Sequence, residues 1–296
     1  MIKYEIPFNF DLGLLDFLQE TIDRDWIEFI FLPPFKGDCS NARSHTDGVQ
    51  KSWGVYKEPS TREEYDFYIK EIQNRGFNPG VLFQKEGGLP IDVVKHYINL
   101  NINTFVVNSD KLASTLKKID SKYKVIASIT KTLSAKDLWE KDLSMYDKLV
   151  LHFPFNRALL RLKELPPYYK YSILVNSYCL YNCAVAKEHW NSTKENSQSI
   201  KCFKGDRKED LIYIPPEYTK LFQPYVESFK IQGREYPTSI LQEEIYCYYK
   251  NLHNPMAGAI YNRLTPFNAD EYFNKGKDLE FVKYTPNNLP NMPTSA

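Results

Sequence analysis

The stretch Gly80–Ile129, GVLFQKEGGLPIDVVKHYINLNINTFVVNSDKLASTLKKIDSKYKVIASI, decides the fold. Three short apolar runs, Gly80–Gln84, Thr104–Asn108 and Lys124–Ile129, read as buried strands. Two amphipathic runs, Ile91–Leu100 and Lys111–Ile119, read as helices between them. Strand, helix, strand, helix, strand calls for a parallel sheet with right-handed crossovers.

The alternation continues on both sides. Further strands are read at Phe29–Leu32, Lys148–Phe153, Tyr171–Asn176, Asp210–Ile214 and Ser228–Gln232. Further helices are read at Arg62–Arg75, Ala135–Leu143, Ala158–Leu165, Pro216–Phe222 and Thr238–Leu252. Eight strands in this order predict a single closed (β/α)8 barrel of the TIM type, with an open doubly wound sheet as the second choice. The barrel is assigned residues 1–252 and a short C-terminal extension residues 253–284. Residues 285–296, TPNNLPNMPTSA, are read as a disordered tail because they are rich in Pro and Asn.

The chain of 296 residues suits one such barrel or two ordinary domains, and 43% hydrophobic residues suffice for a large core. Its 38 basic and 37 acidic residues nearly balance, which argues against broad nucleic-acid binding and leaves room for a local basic groove. No Gly-x-Gly-x-x-Gly follows a strand and no Walker-type loop occurs, so nucleotide-fold readings lose support. No apolar run of about 18 residues could span a bilayer, and MIKYEIPFNFDLGLL lacks the core of a signal peptide. The expectation is a cytoplasmic protein with no membrane contact.

Three of the five cysteines, Cys179, Cys183 and Cys202, follow the strand read at Tyr171–Asn176. Cys39 lies in the loop after Phe29–Leu32, in PPFKGDCSNARSH. On a barrel both loops belong to the C-terminal face, where active sites are built. Reducing conditions leave thiols available as ligands, and four thiolates satisfy a [4Fe–4S] cluster or a zinc ion. The irregular spacing suits an iron–sulfur cluster slung between two loops better than zinc, whose sites usually show two close Cys pairs. The other reading is four small, buried, inert residues. Cys247, inside the helical run LQEEIYCYYKNL, is read as a core residue outside the ligand set.

The last strand and its sequel read SFKIQGREYPTSILQEEIYCYYKN. This resembles the F-K-[IV]-[EQ]-G-R segment of the collagenase-like peptidase family. That family includes the prephenate-linked RNA hydroxylases and the oxygen-independent ubiquinone-biosynthesis hydroxylases. GDCSNAR, Gly37–Arg43, is similar to the cysteine loop of the cluster-bearing ubiquinone hydroxylase subunits. The resemblance implies a barrel enzyme with a [4Fe–4S] cluster on Cys39, Cys179, Cys183 and Cys202. It also implies an oxygen-independent hydroxylation, or a related modification, of a small-molecule or RNA-borne ring. The chain departs from the family pattern around Asn176–Cys179, where a His-Gly run is missing, and the usual Cys before the last strand is absent from DLIYIPPEY. Two alternatives stay open: a non-catalytic, cluster- or zinc-stabilised subunit partnering a homologue, and a peptidase-like hydrolase.

Two further residues are assigned catalytic roles. His189 is six residues beyond Cys183 and suits a fifth ligand, a proton donor or a substrate contact, or else a surface histidine capping a short helix. Arg234 closes the last strand and suits a carboxylate or phosphate, or else a salt bridge across the rim. Arg43 and His45 are weaker candidates on the first cysteine loop. His152, Asn156, Asn176 and Glu217 are candidates by their place at strand ends.

Overall fold

The computed structural model describes residues 2–36, 38, 58–84, 91–177, 179–183, 210–254 and 268–284. Eight parallel strands close into one barrel, in chain order: β1 Lys3–Pro7, β2 Ile27–Leu32, β3 Pro79–Phe83, β4 Thr104–Val107, β5 Lys124–Ala127, β6 Lys148–Val150, β7 Tyr171–Leu174 and β8 Ser228–Lys230. Helices α1 Leu12–Thr21, α2 Arg62–Asn74, α3 Ile91–Asn99, α4 Asp110–Ile119, α5 Ala135–Glu140, α6 Leu159–Leu162, α7 Thr238–Lys250 and α8 Ala269–Asn274 follow in the same sense. The barrel is therefore of the (β/α)8 type read from the sequence, and the open-sheet alternative falls away. β1 closes it against β8, with Lys3, Tyr4 and Glu5 opposite Ser228, Phe229 and Lys230.

Two corrections concern which segments supply the eight strands. KYEIP, unread at the N-terminus, is β1. DLIYI is an extended segment that pairs with the loop after β7 instead of joining the barrel. Ile214 N–H donates to Val175 O, Ile212 N–H to Cys179 O, and Tyr181 N–H to Asp210 O. Its apolar residues are buried all the same, which is why its pattern imitates a strand.

Strand alternation sorts the core into two clusters. Ile30, Val81, Phe105, Val125, Leu149, Ile173 and Phe229 face the helices. Phe29, Phe31, Leu82, Val106, Ile126, Val150 and Leu174 face the barrel axis. Gly80 makes this inner packing possible, because a Cβ there would meet the Phe29 ring at 2.6 Å. Side chains cap the helices that the sequence marks for capping. Thr61 accepts from Glu64 N–H, Ser109 from Leu112 N–H, and Ser134 with Asp137 forms a reciprocal box.

The N-terminal half of the interior is ionic. Lys148 Nζ lies 2.8 Å from Glu5 Oε1, 2.6 Å from Glu28 Oε2 and 2.7 Å from Ser228 Oγ. Lys124 reaches the other oxygen of Glu28, and Lys230 Nζ lies 3.2 Å from Glu5 Oε2. Burial alone would raise the Glu5 carboxyl, but Lys148 and Lys230 hold it well below the usual carboxylate range. Residues 268–284 pack against the barrel from outside, with Tyr272, Phe273 and Val282 buried in the outer core.

Candidate active site at the C-terminal mouth

A collar of polar residues follows the C-terminal ends of the strands: Asn9, Gln84, Asn108, Ser128, His152, Asn176 and Gln232. Strand ends face this way because every strand is parallel. Several collar amides hold neighbouring backbone. Asn108 Nδ2 donates to Gln84 O at 3.1 Å, and Asn156 Nδ2, on the turn after β6, donates to Leu174 O at 2.7 Å. Yet among the described residues Asn9 Oδ1, Gln84 Oε1, Asn108 Oδ1 and Asn156 Oδ1 are buried without a hydrogen-bond partner, and Gln84 lines the opening at the mouth. Buried polar atoms are rarely left so.

The opening is a pocket of about 420 Å³, counting the space open to solvent. Phe31, Leu82, Ile129 and Leu174 form its apolar wall, and Gln84, Lys230, Gln232, Arg234 and Glu235 its polar lining. Gly233 sits at φ +127°, a conformation that favours glycine, and it turns the chain between Lys230 and Arg234 so that both border the pocket. Arg234 is 7% exposed and makes no hydrogen bond or ion pair with any described residue.

Cys179 and Cys183 are half-buried on the loop after β7, and both pack against the inner cluster that contains Phe31, Leu82, Ile129 and Leu174. The two thiols therefore border the same apolar interior as the pocket. Cys247 is buried on α7, away from that loop in sequence. Cys39 and Cys202, with Arg43, His45 and His189, lie outside the described residues, so the structure describes only Cys179 and Cys183 of the four-thiol set. Asp38, next to Cys39, is anchored. Its carboxylate pairs with Arg62 of α2 and accepts from Tyr97 Oη of α3 at 2.5 Å. Among the described residues, no three His, Cys, Asp or Glu side chains gather as a metal site.

The other candidates separate. His152 is buried and stacked on Phe153 at 5.2 Å, and neither ring nitrogen has a partner among the described residues. Burial pushes its pKa down to about 4, so the ring is neutral at pH 7. It forms no Ser–His pair, and a histidine without a hydrogen bond is not oriented for nucleophilic catalysis. Asn176 is a clamp: its Nδ2 donates to Gln232 O at 2.8 Å and its Oδ1 accepts from Gln232 N–H at 2.7 Å. Glu217 pairs with His253 at 2.9 Å. Residue-type reasoning passed over Gln84 and Lys230 as pocket residues; the signal available for each was its place at a strand's C-terminal end.

No family model matches the chain. An uncharacterized protease of Methanocaldococcus jannaschii is 34% identical over 94 residues, which is 27% of this chain and 28% of that protein's length. A solved U32 peptidase superposes with a TM-score of 0.54 at 13% identity, over 79% of this chain and 93% of that one. The structural likeness is one of fold: both chains are barrels of this type. Lys230 and Arg234 border the pocket at its mouth. Among the described residues no helix is long and apolar enough to cross a membrane.

Proposed function

We propose that the chain is a divergent barrel enzyme of the collagenase-like peptidase family that carries a [4Fe–4S] cluster on Cys39, Cys179, Cys183 and Cys202. It would modify a small-molecule or RNA-borne ring without oxygen, by hydroxylation or a related reaction. The observation that carries this reading is the packing of Cys179 and Cys183 against the apolar cluster that walls the mouth pocket. Half-buried thiols on a loop at the C-terminal end of a barrel strand suit a cluster better than they suit a buried core. When bound, such a cluster would supply electrons one at a time.

The chain's own residues do the rest. Phe31, Leu82, Ile129 and Leu174 exclude water and pack the apolar part of a ligand. Arg234 takes its anionic end through a planar fork of donors. His189, six residues beyond Cys183, would donate a proton or complete the ligand set.

Metal and sulfide content after anaerobic purification tests the reading. A brown protein absorbing near 400 nm, bleached by Cys179→Ala or Cys183→Ala and not by Cys247→Ala, is the expected result. A colourless protein with one bound zinc would replace it with the structural-subunit alternative. The peptidase alternative rests on the descriptions of the two similar proteins and predicts peptide hydrolysis that survives loss of the thiols.

A further inference from the structure

Lys230 has no part in a cysteine-based reaction, yet it occupies the floor of the pocket. Its side chain enters from β8 with 5% exposure, its Nζ lying 3.2 Å from Glu5 Oε2 and 3.8 Å from the centre of the Phe31 ring. A second lysine shares the same carboxylate. Lys148 Nζ is 2.8 Å from Glu5 Oε1, but it is also held by Glu28 and Ser228 and is fully buried. The two ammonium groups have different environments. Lys148 has two carboxylates and a hydroxyl, and it does not border the pocket. Lys230 has one carboxylate, lies against an aromatic face, and opens on the pocket.

Their affinities for a proton diverge accordingly. Burial lowers the pKa of Lys230 by more than Glu5 restores, and the charge on Lys148 lowers it further. Lys148 is also desolvated, but Glu5 and Glu28 raise it overall. A desolvated lysine beside another cation is the setting in which an amine becomes a nucleophile at neutral pH. Arg234, buried and without a partner among the described residues, borders the same pocket. Phe31, Leu82, Ile129 and Leu174 line the pocket beside them.

We propose that Lys230 Nζ forms an imine with a small carbonyl acid whose carboxylate is held by Arg234. The nitrogen lone pair forms the C–N bond as the carbonyl π pair moves to oxygen. Counted from the ammonium, two of its three protons leave on that oxygen as water, and a cationic C=N remains. Nothing is oxidised or reduced. The positive charge opposite Glu5 is conserved, so the ionic floor remains paired through the step. The iminium draws electrons from the adjacent carbon and makes it a better acid. The step requires no thiol, so its failure would leave the cysteine assignment untouched, and loss of the cluster would leave this step intact.

Borohydride trapping tests it. The full chain is incubated with pyruvate, glyoxylate or phenylpyruvate at pH 7 and reduced, which converts an iminium to a stable secondary amine. One adduct per chain, mapped to Lys230 by peptide mass spectrometry, is the expected result with at least one of the three. 3-Phenylpropionate, which lacks the carbonyl, should give none. Lys230→Arg keeps the charge facing Glu5 and should abolish the adduct. Arg234→Gln should lower its yield at low ligand concentration by about tenfold, the worth of one charge-assisted contact. Adducts confined to exposed lysines, equal labelling of Lys230→Arg, or no adduct with any of the three acids would overturn the proposal. The wild-type peptide map decides even if a variant fails to fold.

Discussion

The two ends of the barrel interior treat polar groups in opposite ways. At the N-terminal floor, Glu5, Glu28, Lys124, Lys148, Ser228 and Lys230 meet one another within hydrogen-bond distance. At the C-terminal mouth, amide oxygens of Asn9, Gln84, Asn108 and Asn156 lie buried and unmet, and Arg234 has no partner among the described residues. Both ends bear the cost of burying polarity, but among the described residues only the floor recovers it in full. The difference separates a region that holds the fold from one arranged around something else.

The contrast breaks most visibly at Lys148. Lys148→Met leaves Glu28 and Glu5 each short of a buried cation and should destabilise the barrel by about 3–5 kcal/mol, measured by urea unfolding. A loss below about 1 kcal/mol would mean the floor is not what holds the fold.

Two buried titratable groups near the mouth should give opposing pH slopes. Burial raises Glu244 of α7 from 4.5 to about 7. The folded chain then holds a proton that the unfolded chain has lost, so this stability falls as pH rises from about 4.5 to 7, by up to ~3 kcal/mol. For His152, lowered from 6.5 to about 4, the unfolded chain binds the extra proton. Its contribution is lost as pH falls from about 6.5 to 4, by a similar amount. The two partly cancel, so thermal melts of Glu244→Gln and His152→Leu across pH 4–8 should each expose the other's slope. Parallel profiles for wild type and both variants would refute the assignment.

Arg234→Lys sharpens the comparison from the mouth side. It keeps the charge and loses the fork, so ligand affinity should fall about tenfold while stability stays within about 0.5 kcal/mol of wild type. A rim staple would give the reverse, a lower melting temperature at unchanged affinity. The smallest effect belongs outside the barrel. Lys170 and Glu227 pair in solvent at 2.7 Å, with side chains 64% and 42% exposed. Lys170→Ala should cost under about 0.5 kcal/mol, and a larger loss would show that exposed pairs matter here as much as the floor does.

Barrel topology was legible because short apolar runs and longer amphipathic runs alternate along the chain. β1 escaped because alternate positions of KYEIP carry charge: Lys3 is exposed, and Glu5 points inward to an ion pair that no local pattern reveals. DLIYI was misread because burial, not sheet membership, sets an apolar run. At the pocket, Arg234 was legible from residue type and its place at the end of the last strand. The role of Lys230 depends on Glu5, 225 residues away in sequence, and that pairing exists only once the barrel closes.

Asn176 binds the backbone of Gln232 as another peptide unit would, giving one hydrogen bond and taking one. A single side chain thus adds a rung to the β7–β8 ladder after both strands have ended. Cys179 follows three residues later on one side, and Lys230 and Arg234 flank Gln232 on the other. The loop with the thiols and the strand end with the cations are pinned at one point, so a shift in either is transmitted to the other through that amide.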